Sequence, residues 1–398
     1  MKSGKSIEKL LNPKKIIIIE VSENATKSGL IISHKLEKFK GKKIFVKIQK
    51  NKRNITPLKK SLENNIDLAI IISSLKKIPK ILRKCSDNKI QNYLLLPPEP
   101  NEKEDLRLMK KILRISDRKK LNILGPDSLG IFNQKQKLDL TQSTKTPKKG
   151  NIAFISQSGT LWSYVGDLGV GINYYVGLGK NLGTGFAEFI EYFNEEKSVK
   201  KIVCYIEKLR ESKKFIEACK KSKKEIIVLK GGKTSEGMRI SNNSISKPTE
   251  YKRYEGIFKQ AGAKISPSIA KTFRLKKQDI RKKLKKDEGI IITNSKGAAT
   301  LLTDELNSKK FNIRRVIFLG RNATPLKYRE TLDKFNNYRG DIIIIAANQA
   351  TLDAEALSYL LPTHPTKDKI KVIFLGKSME KYEKIFKKNK VPFFTTPL

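Results

Sequence analysis

Two short polar turns are the parts of the sequence best suited to bind an anion. Their residues are Ser156, Ser158 and Gly159 in the first turn, and Ser295, Lys296 and Gly297 in the second. Each turn follows an aliphatic run and precedes an apolar, helix-like segment, so free backbone N–H groups and a positive helix end should point above it. Serine and glycine also cap helices, and either turn alone is readily explained in that way. Two such turns in successive domains favour an anion site, because opposed helix N-termini could hold one phosphate between them.

A repeated pattern of short aliphatic strand, turn and amphipathic helix must position these turns. The predicted strands are 15–19, 44–48, 68–72, 93–96, 152–155, 202–206, 226–229, 289–293, 316–319, 342–346 and 372–375, with a short last strand near Phe393. Their nearly continuous hydrophobicity is typical of parallel strands covered on both faces. We therefore expect three α/β domains at 1–140, 150–275 and 287–398, the first of them Rossmann-like. The polar stretch 141–149 is interpreted as a linker, and 276–287 as a second linker or a solvated helix.

Composition restricts the classes of protein to which the chain can belong. The sequence has 398 residues, a formal net charge of +45, three cysteines and two histidines. The lysines are spread along the whole chain, so weak electrostatic adsorption to nucleic acid is expected rather than sequence-specific binding. The apolar runs are too short to span a membrane, and we expect a cytoplasmic protein. The scarcity of cysteine and histidine argues against a metal site.

Three motifs that suggest familiar chemistry fail on closer reading. Gly232-Lys233-Thr234 resembles the end of a Walker A loop, but the glycine required five residues earlier is Ile227. Ser158 has no nucleophile elbow around it, because position 156 is serine. The first βα turn lacks the glycines of a dinucleotide fingerprint, and Glu20 stands where a pyrophosphate would approach.

Several segments, in order along nearly the whole chain, carry a family resemblance. They are 10–16 (LLNPKKI), 123–131 (ILGPDSLGI), 151–159 (NIAFISQSG), 205–207 (YIE), 227–237 (IVLKGGKTSEG), 258–262 (FKQAG), 292–294 (ITN), 322–325 (NATP) and 391–397 (VPFFTTP). Together they resemble the α subunit, or α part, of the NDP-forming acyl-CoA synthetases, the acetate- and succinate-CoA ligase family. The resemblance implies a Rossmann-like CoA-binding domain followed by two flavodoxin-like domains of the succinyl-CoA synthetase type.

The resemblance also implies a reaction and its participants. NTP phosphorylates a histidine of the second domain, the phosphoryl group passes to or from an acyl phosphate, and CoA takes the acyl group. The two helix N-termini would stabilise the phosphohistidine. CoA would be held through positions matching Ser22, Gly29, Lys50 and Pro126. Mg²⁺ and NTP would be supplied by a separate ATP-grasp β subunit, since no such sequence is present in this chain.

The most consequential departure from the family is the missing histidine. Its segment, Ser-His-Thr-Gly in the family, corresponds here to residues 241–247 (SNNSISK), with Asn243 or Ser244 at the histidine's place. Neither side chain forms a labile phosphoramidate, so the relay is predicted to be lost. Glu207 matches the carboxylate that orients the histidine. Asp127, in place of the family's asparagine, adds negative charge where an amide could meet a phosphate or thioester.

Three functions follow as hypotheses. The first is an acyl-CoA synthetase α-subunit-like protein, either a divergent paralogue without the phosphohistidine relay, and hence a pseudoenzyme or regulatory chain, or an enzyme with direct transfer between NTP and acid. The second is a CoA- or acyl-CoA-binding regulatory or scaffold protein. The third is a nucleic-acid-associated basic protein. The acyl substrate and the choice between ADP and GDP are not encoded in any motif identified above.

Overall fold

Three β-sheets organise the chain in the computed structural model. The structure describes residues 2–21, 27–48, 58, 61–62, 65–96, 102–241, 251–321, 323–349 and 352–398. Helices connect most of the successive parallel strands, as expected where parallel strands need crossover connections. The predicted α/β class is therefore confirmed.

The first sheet is wholly parallel, with the order β2-β1-β3-β4-β5. Its strands are β1 Lys15–Val21, β2 Lys42–Ile48, β3 Leu68–Ile72, β4 Asn92–Leu95 and β5 Asn122–Leu124. Its helices are α1 Lys2–Leu11, α2 Lys27–Lys35, α3 Ile78–Asp87 and α4 Glu102–Lys119, with a 3₁₀ turn at Leu36–Lys38. Every residue of β3 and β4 is buried, which explains the uninterrupted apolar sequence of β3.

The second sheet has the order β12-β11-β10-β8-β9-β6-β7. Its strands are β6 Ile131–Asn133, β7 Leu138–Asp139, β8 Lys148–Ser156, β9 Gly171–Gly177, β10 Lys201–Ile206, β11 Glu225–Lys230 and β12 Lys264–Ser266. Its helices are α5 Gly159–Gly166, α6 Phe186–Glu195, α7 Ser212–Lys221, α8 Ser235–Ser241, α9 Tyr251–Ala261 and α10 Ile269–Phe273.

Two antiparallel strands extend this second sheet from the preceding part of the chain. β6 pairs antiparallel with β9 and with β7, although residues 131–139 fall within the range predicted as the first domain. Both strands are too short for a strand pattern to be recognised in sequence. The predicted boundary near residue 140 stays a prediction, but hydrogen bonding joins this hairpin to the second sheet.

The third sheet is again wholly parallel, with the order β14-β13-β15-β16-β17. Its strands are β13 Glu288–Thr293, β14 Asn312–Phe318, β15 Asp341–Ala347, β16 Ile370–Leu375 and β17 Phe393–Phe394. Its helices are α11 Lys296–Ser308, α12 Pro325–Asp333, α13 Ala354–Leu360 and α14 Glu383–Lys388. Short 3₁₀ turns lie at Ile280–Lys283, Lys367–Lys369 and Lys377–Tyr382.

All three sheets share one arrangement of their parallel strands. Counted in chain order within each sheet, it is the 2-1-3-4-5 order of doubly wound folds. Ligands in such folds bind beyond the carboxyl ends of the strands, where the chain direction switches between the first and third strands. In the second sheet that point lies between β8 and β10, and in the third it lies between β13 and β15.

The second and third sheets share a hydrophobic core. One buried cluster joins Phe154 and Trp162 of the second sheet's unit to Ile291, Leu302 and other residues around the third sheet. Trp162 is fully buried and stacks on Tyr175, with ring centroids 4.2 Å apart. This common core fixes the orientation of α5 relative to α11.

The stretch predicted as a linker at 141–149 is partly packed, and its role as a linker stays a prediction. Thr141 and Ser143 are buried, Ser143 forms a β-bridge with Gln349, and β8 already begins at Lys148. The polar side chains fit because they are bonded locally; the Thr141 hydroxyl donates to Asp139 at 2.7 Å. Within the described residues, no helix is long and apolar enough to cross a bilayer.

Candidate functional site

The two polar turns have the same local geometry. After β8, the Ser158 N–H donates to the Ser156 hydroxyl at 3.0 Å, and that hydroxyl donates back to the Ser158 carbonyl at 2.8 Å. After β13, the Ser295 N–H donates to the Thr293 hydroxyl at 2.8 Å, and the returning bond to the Ser295 carbonyl is 3.3 Å. Both strands are therefore turned into a helix by the same pair of hydrogen bonds.

The middle residue of each turn ties it to the neighbouring strand across the switch point. The Gln157 side-chain carbonyl accepts from the Glu207 N–H at 2.7 Å, just beyond β10. In the third unit, the Asn294 side-chain carbonyl accepts from the Ala347 N–H at 2.7 Å, at the end of β15. Because these amides cross-link the ends of adjacent strands, each helix N-terminus is held rigidly at its switch point.

The two helix N-termini meet. The Thr160 hydroxyl of α5 lies 2.7 Å from the hydroxyl of Ser295, the N-cap residue of α11. A methyl group built on Gly297 would lie 2.2 Å from the Ser158 hydroxyl oxygen, so only glycine permits this approach. Ser158 makes no capping bond to its own helix, so its side chain does not satisfy the first N–H groups of α5.

A cleft lies where these helix ends converge. It is lined by Asp127, Gln157, Ser158, Gly159, Thr160, Gly179, Lys180, Glu207, Ile240, Ser241, Asn294, Lys296, Gly297, Phe318 and Arg321. Its cavity volume of about 60 Å³ is several times the roughly 10–15 Å³ that one water molecule requires. Two positive helix ends and the side chains of Lys180, Lys296 and Arg321 make this cleft suited to an anion of phosphate size.

Glu207 is one of the two carboxylates that line this cleft among the described residues. It accepts a hydrogen bond from the Tyr205 hydroxyl at 3.1 Å. Burial raises the pKa of Glu207, and the nearby Lys180, Tyr205 and Lys230 oppose that rise. Lys230 lies below the cleft, 2% exposed, with its ammonium 4.5 Å from the Tyr254 ring centre. Its burial lowers its pKa to about 8, although Glu207 acts in the opposite direction.

Two loops close the side of the cleft nearest the first sheet. The Lys180 N–H donates to the Pro126 carbonyl at 2.9 Å. A methyl group on Gly179, whose φ is +56°, would lie 2.3 Å from that same carbonyl, so glycine is required there by both conformation and space. Pro126 thus lies beside the cleft, and the next residue, Asp127, forms an ion pair with Arg321 of the third unit.

The loop at Gly232-Lys233-Thr234 binds a carboxylate of the protein itself, not a nucleotide. The backbone N–H groups of Gly232, Lys233 and Thr234 donate to the carboxylate of Asp304 on α11, at 2.8–2.9 Å. A methyl group on the neighbouring Gly237 would lie 2.1 Å from that carboxylate. The amides that a Walker A loop offers to phosphate are therefore used here to join the second and third units.

Of the remaining predicted site residues, one lies in the first unit and the others are not described by the structure. Gly29, predicted to contact CoA, lies on α2, and a methyl group built on it would lie 2.6 Å from Glu20 Oε1. The Glu20 carboxylate therefore occupies the space over the first turns of this helix, as its place in the sequence suggests. Ser22 and Lys50, also assigned to CoA, and Asn243 and Ser244, at the missing histidine's position, lie outside the described residues.

Neither histidine of the sequence contributes to the cleft. His34 lies on α2 of the first unit. His364 is 4% exposed in the third unit, bonded to Thr366 at 2.7 Å and to Asp333 at 3.0 Å. No group of three or more potential metal-ligating side chains occurs within the described ranges.

The structure therefore assembles most of the predicted anion-site residues and adds several that sequence reasoning missed. Ser158, Gly159, Lys296, Gly297 and Glu207 line one cleft, with Ser156 and Ser295 buried directly behind it. The additional lining residues whose side chains can hydrogen-bond or carry charge are Gln157, Asn294, Lys180 and Arg321. The sequences Ser-Gln-Ser and Thr-Asn-Ser recur at the two strand ends. This repetition could have indicated that the side-chain amides of Gln157 and Asn294 belong to the site.

Comparison with known proteins gives this site a family context. The family model for the succinyl-CoA ligase like flavodoxin domain matches residues 149–277. The α subunit of ADP-forming acetate–CoA ligase II from Pyrococcus furiosus is 28% identical over 316 residues, covering 76% of this chain and 69% of that protein. An ADP-forming acetate–CoA ligase from Methanocaldococcus jannaschii is 32% identical over 267 residues, covering 63% of this chain but only 37% of its own length.

A solved structure agrees with the fold of the whole chain. The dinucleotide-forming acetyl-coenzyme A synthetase 1 of Candidatus Korarchaeum cryptofilum, in complex with phosphate and ADP, superposes with a TM-score of 0.60 over 98% of this chain and 94% of that one, at 20% identity. At that identity the similarity establishes the architecture alone. Taken with the sequence relatives and the matched domain, the chain is a homologue of the α-type subunits of ADP-forming acetate–CoA ligases and contains a succinyl-CoA ligase like flavodoxin domain at 149–277.

Proposed function

We propose that this chain is an α-subunit-like acyl-CoA synthetase protein whose cleft binds phosphate or a phosphoryl group without forming a phosphohistidine. The observation that carries the proposal is the cleft itself. Two helix N-termini meet there beside Lys180, Lys296 and Arg321, and neither His34 nor His364 lines it. The chain retains the anion-binding half of the family's site and lacks the imidazole.

The chemistry of the segment at 241–247 supports the loss of the relay. It contains serine, asparagine, isoleucine and lysine, but no histidine. A serine phosphate ester is too stable for rapid reversible transfer, and an asparagine amide is not a nucleophile of the required kind. We therefore favour a divergent paralogue, a pseudoenzyme or regulatory chain, over a ligase that uses the family's relay.

A β partner is part of this proposal. The Pyrococcus furiosus relative is named as an α subunit, and this name supports an ATP-grasp partner subunit. Mg²⁺ and NTP would then reach the cleft only through that partner. The three cysteines, all free and buried, are consistent with a cytoplasmic protein.

CoA is the cofactor implied for the first unit, and one observed position does not fit it. The Glu20 carboxylate lies against Gly29 at the start of α2. A helix N-terminus binds a pyrophosphate through free N–H groups and positive potential, and a carboxylate held there repels the phosphate charge. We assign no reaction step to CoA, and calorimetry is the direct test of whether it binds.

The test uses the full chain together with its ATP-grasp partner and γ-labelled ATP. We expect no acid-labile phosphoryl label on the wild-type α-like chain and no acyl-CoA product. In Asn243→His and Ser244→His, an imidazole returns to the segment, and acid-labile label on either variant would show that the rest of the site is intact. The P. furiosus α subunit with its own partner is the positive control.

Three results would change the proposal. Acid-labile label on the wild-type chain would contradict it. Acyl-CoA formation without any label on the chain would support direct transfer between NTP and the acid. Calorimetric binding of CoA without ligase activity would favour the CoA-binding regulatory or scaffold function.

A further inference from the structure

An ion pair spans the cleft from the first unit to the third. Asp127 follows β5 and Arg321 follows β14, and their side chains are only 20% and 21% exposed. Both residues line the cleft. Neither the hydroxyl of Tyr175, fully buried close to this pair, nor Asp127 Oδ1 accepts or donates a hydrogen bond among the described residues, so Asp127 and Arg321 are joined by charge and proximity alone. The pair therefore lies in a poorly hydrated part of the site, where charge interactions are stronger than in water.

The two side chains are chemically matched in a way that bears on anion binding. A guanidinium presents a rigid fork of N–H donors that binds carboxylates and phosphates with the same geometry. Among the described residues, the cationic side chains that line the cleft are Arg321, Lys180 and Lys296, and the acidic ones are Asp127 and Glu207. The carboxylate of Asp127 is therefore paired with the Arg321 guanidinium, which could otherwise bind phosphate.

The backbone does not require a charged residue at this position. Asp127 has φ of +62°, a conformation that asparagine and glycine adopt as readily as aspartate. Asparagine would keep the shape of the side chain while removing its charge. The negative charge of Asp127 is thus a property of the cleft rather than of the turn.

We propose that Asp127 is an internal competitor for this cleft: its carboxylate binds Arg321, and an incoming phosphate must displace it. The inference rests on the proposed function, because it concerns the same site, and it adds a mechanism that sets the affinity of that site. Phosphate binds weakly while the pair is intact and more tightly when Asp127 is neutralised or drawn away.

The experiment measures the affinity of the full chain for inorganic phosphate by isothermal titration calorimetry. We expect Asp127→Asn to bind about tenfold more tightly than the wild type, a change of about 1.4 kcal/mol. Arg321→Gln should weaken binding, and in that background Asp127→Asn should have a much smaller effect. Asp127→Gly, which suits the same backbone conformation, is a second neutral variant, and thermal unfolding verifies that each variant is folded.

Asp139→Asn is the matched control for charge. Asp139 is bonded to Lys35 at 2.7 Å, with the two side chains 14% and 18% exposed, and neither residue lines the cleft. Its neutralisation changes the net charge by the same amount, so it should leave the phosphate affinity unchanged. An equal gain in Asp139→Asn would show a general charge effect and would overturn the proposal.

Lys296→Met separates this inference from the proposed function. If wild type and Asp127→Asn bind phosphate equally and Lys296→Met still weakens binding, the competitor role is wrong and the cleft remains an anion site. If no variant binds phosphate, both the inference and the proposed function are contradicted. Tighter binding in Asp127→Asn that depends on Arg321 supports both.

Discussion

At the scale of single residues, Lys230 carries the charge with the clearest consequence for stability. Its pKa falls from 10.5 to about 8, chiefly because burial disfavours the charged form. It matches the lysine that follows Val-Leu in the family resemblance, so its identity was visible in the sequence, whereas its burial was not. A lysine in a strand-end motif is ordinarily solvated, and only its burial in the folded chain lowers its pKa, an effect that the charge of Glu207 partly opposes.

This shift predicts a pH dependence of folding. Below about pH 8 the lysine is protonated in both the folded and the unfolded chain, and the burial cost is fully present. Between about pH 8 and 10.5 the unfolded chain binds more protons, so the free energy of unfolding rises with pH. The gain is roughly 3 kcal/mol, at about 1.4 kcal/mol for each pKa unit.

Lys230→Met tests this prediction by urea unfolding between pH 7 and 10. Methionine cannot titrate, so the variant should lack the part of the rise that wild type shows above pH 8. The exposed Lys213→Met is the control for the overall basic charge, which also falls in this range, and it should follow the wild type. Parallel curves for wild type and Lys230→Met would contradict the assignment.

At the scale of elements, the contact between α5 and α11 is the feature on which the site depends. Sequence reasoning identified both helix starts, because each strand, polar turn and helix is encoded within about a dozen consecutive residues. It could only suppose that the two were opposed. The structure brings Thr160 and Ser295 to 2.7 Å, although they are 135 residues apart in sequence.

A glycine substitution tests this helix contact. In Gly297→Ala the added methyl group must overlap Ser158, 2.2 Å from its hydroxyl oxygen, and should force the two helix N-termini apart. We expect a loss of about 1–3 kcal/mol in the free energy of unfolding, together with weaker phosphate binding. Chemical denaturation and phosphate calorimetry on the same samples measure the two effects.

Gly256→Ala is the matched control for that substitution. Gly256 lies within α9, and a methyl group built there meets nothing within 4 Å. Alanine should therefore stabilise the protein by about 0.5–1 kcal/mol, through its better helix propensity. Equal effects of the two substitutions would show that the close approach of the helices is not under steric constraint.

At the scale of the whole molecule, the net charge of +45 predicts a measurable but nonspecific affinity for nucleic acid. Lysines that neutralise phosphates release counterions, so binding should fall steeply as salt rises. We expect two unrelated DNA duplexes to bind equally at low salt and to dissociate together between roughly 50 and 200 mM salt. Filter binding or fluorescence anisotropy across that range measures this. Binding that persists at high salt, with a preference between the duplexes, would revive the nucleic-acid-associated function.

The sequence by itself determined the α/β class, nearly all of the long strands, both polar turns and the absence of an imidazole from the histidine segment. These features are local, because hydrophobic periodicity, turn residues and motif letters act over a few neighbouring positions. It could not show that residues 131–139 extend the second sheet or that Thr141 and Ser143 are buried, since short strands and bonded polar segments leave little pattern.

Only the tertiary structure decided which residues meet in and around the cleft. Asp127 and Arg321 belong to different sheets, Asp304 reaches the loop at 232–234 from a helix of the third unit, and Gln157 and Asn294 act on strands distant in sequence. Such pairs are set by how three separately encoded sheets pack through shared cores. Short sequence motifs identify many of the site's residues. The balance of charge in the cleft arises from contacts between the units.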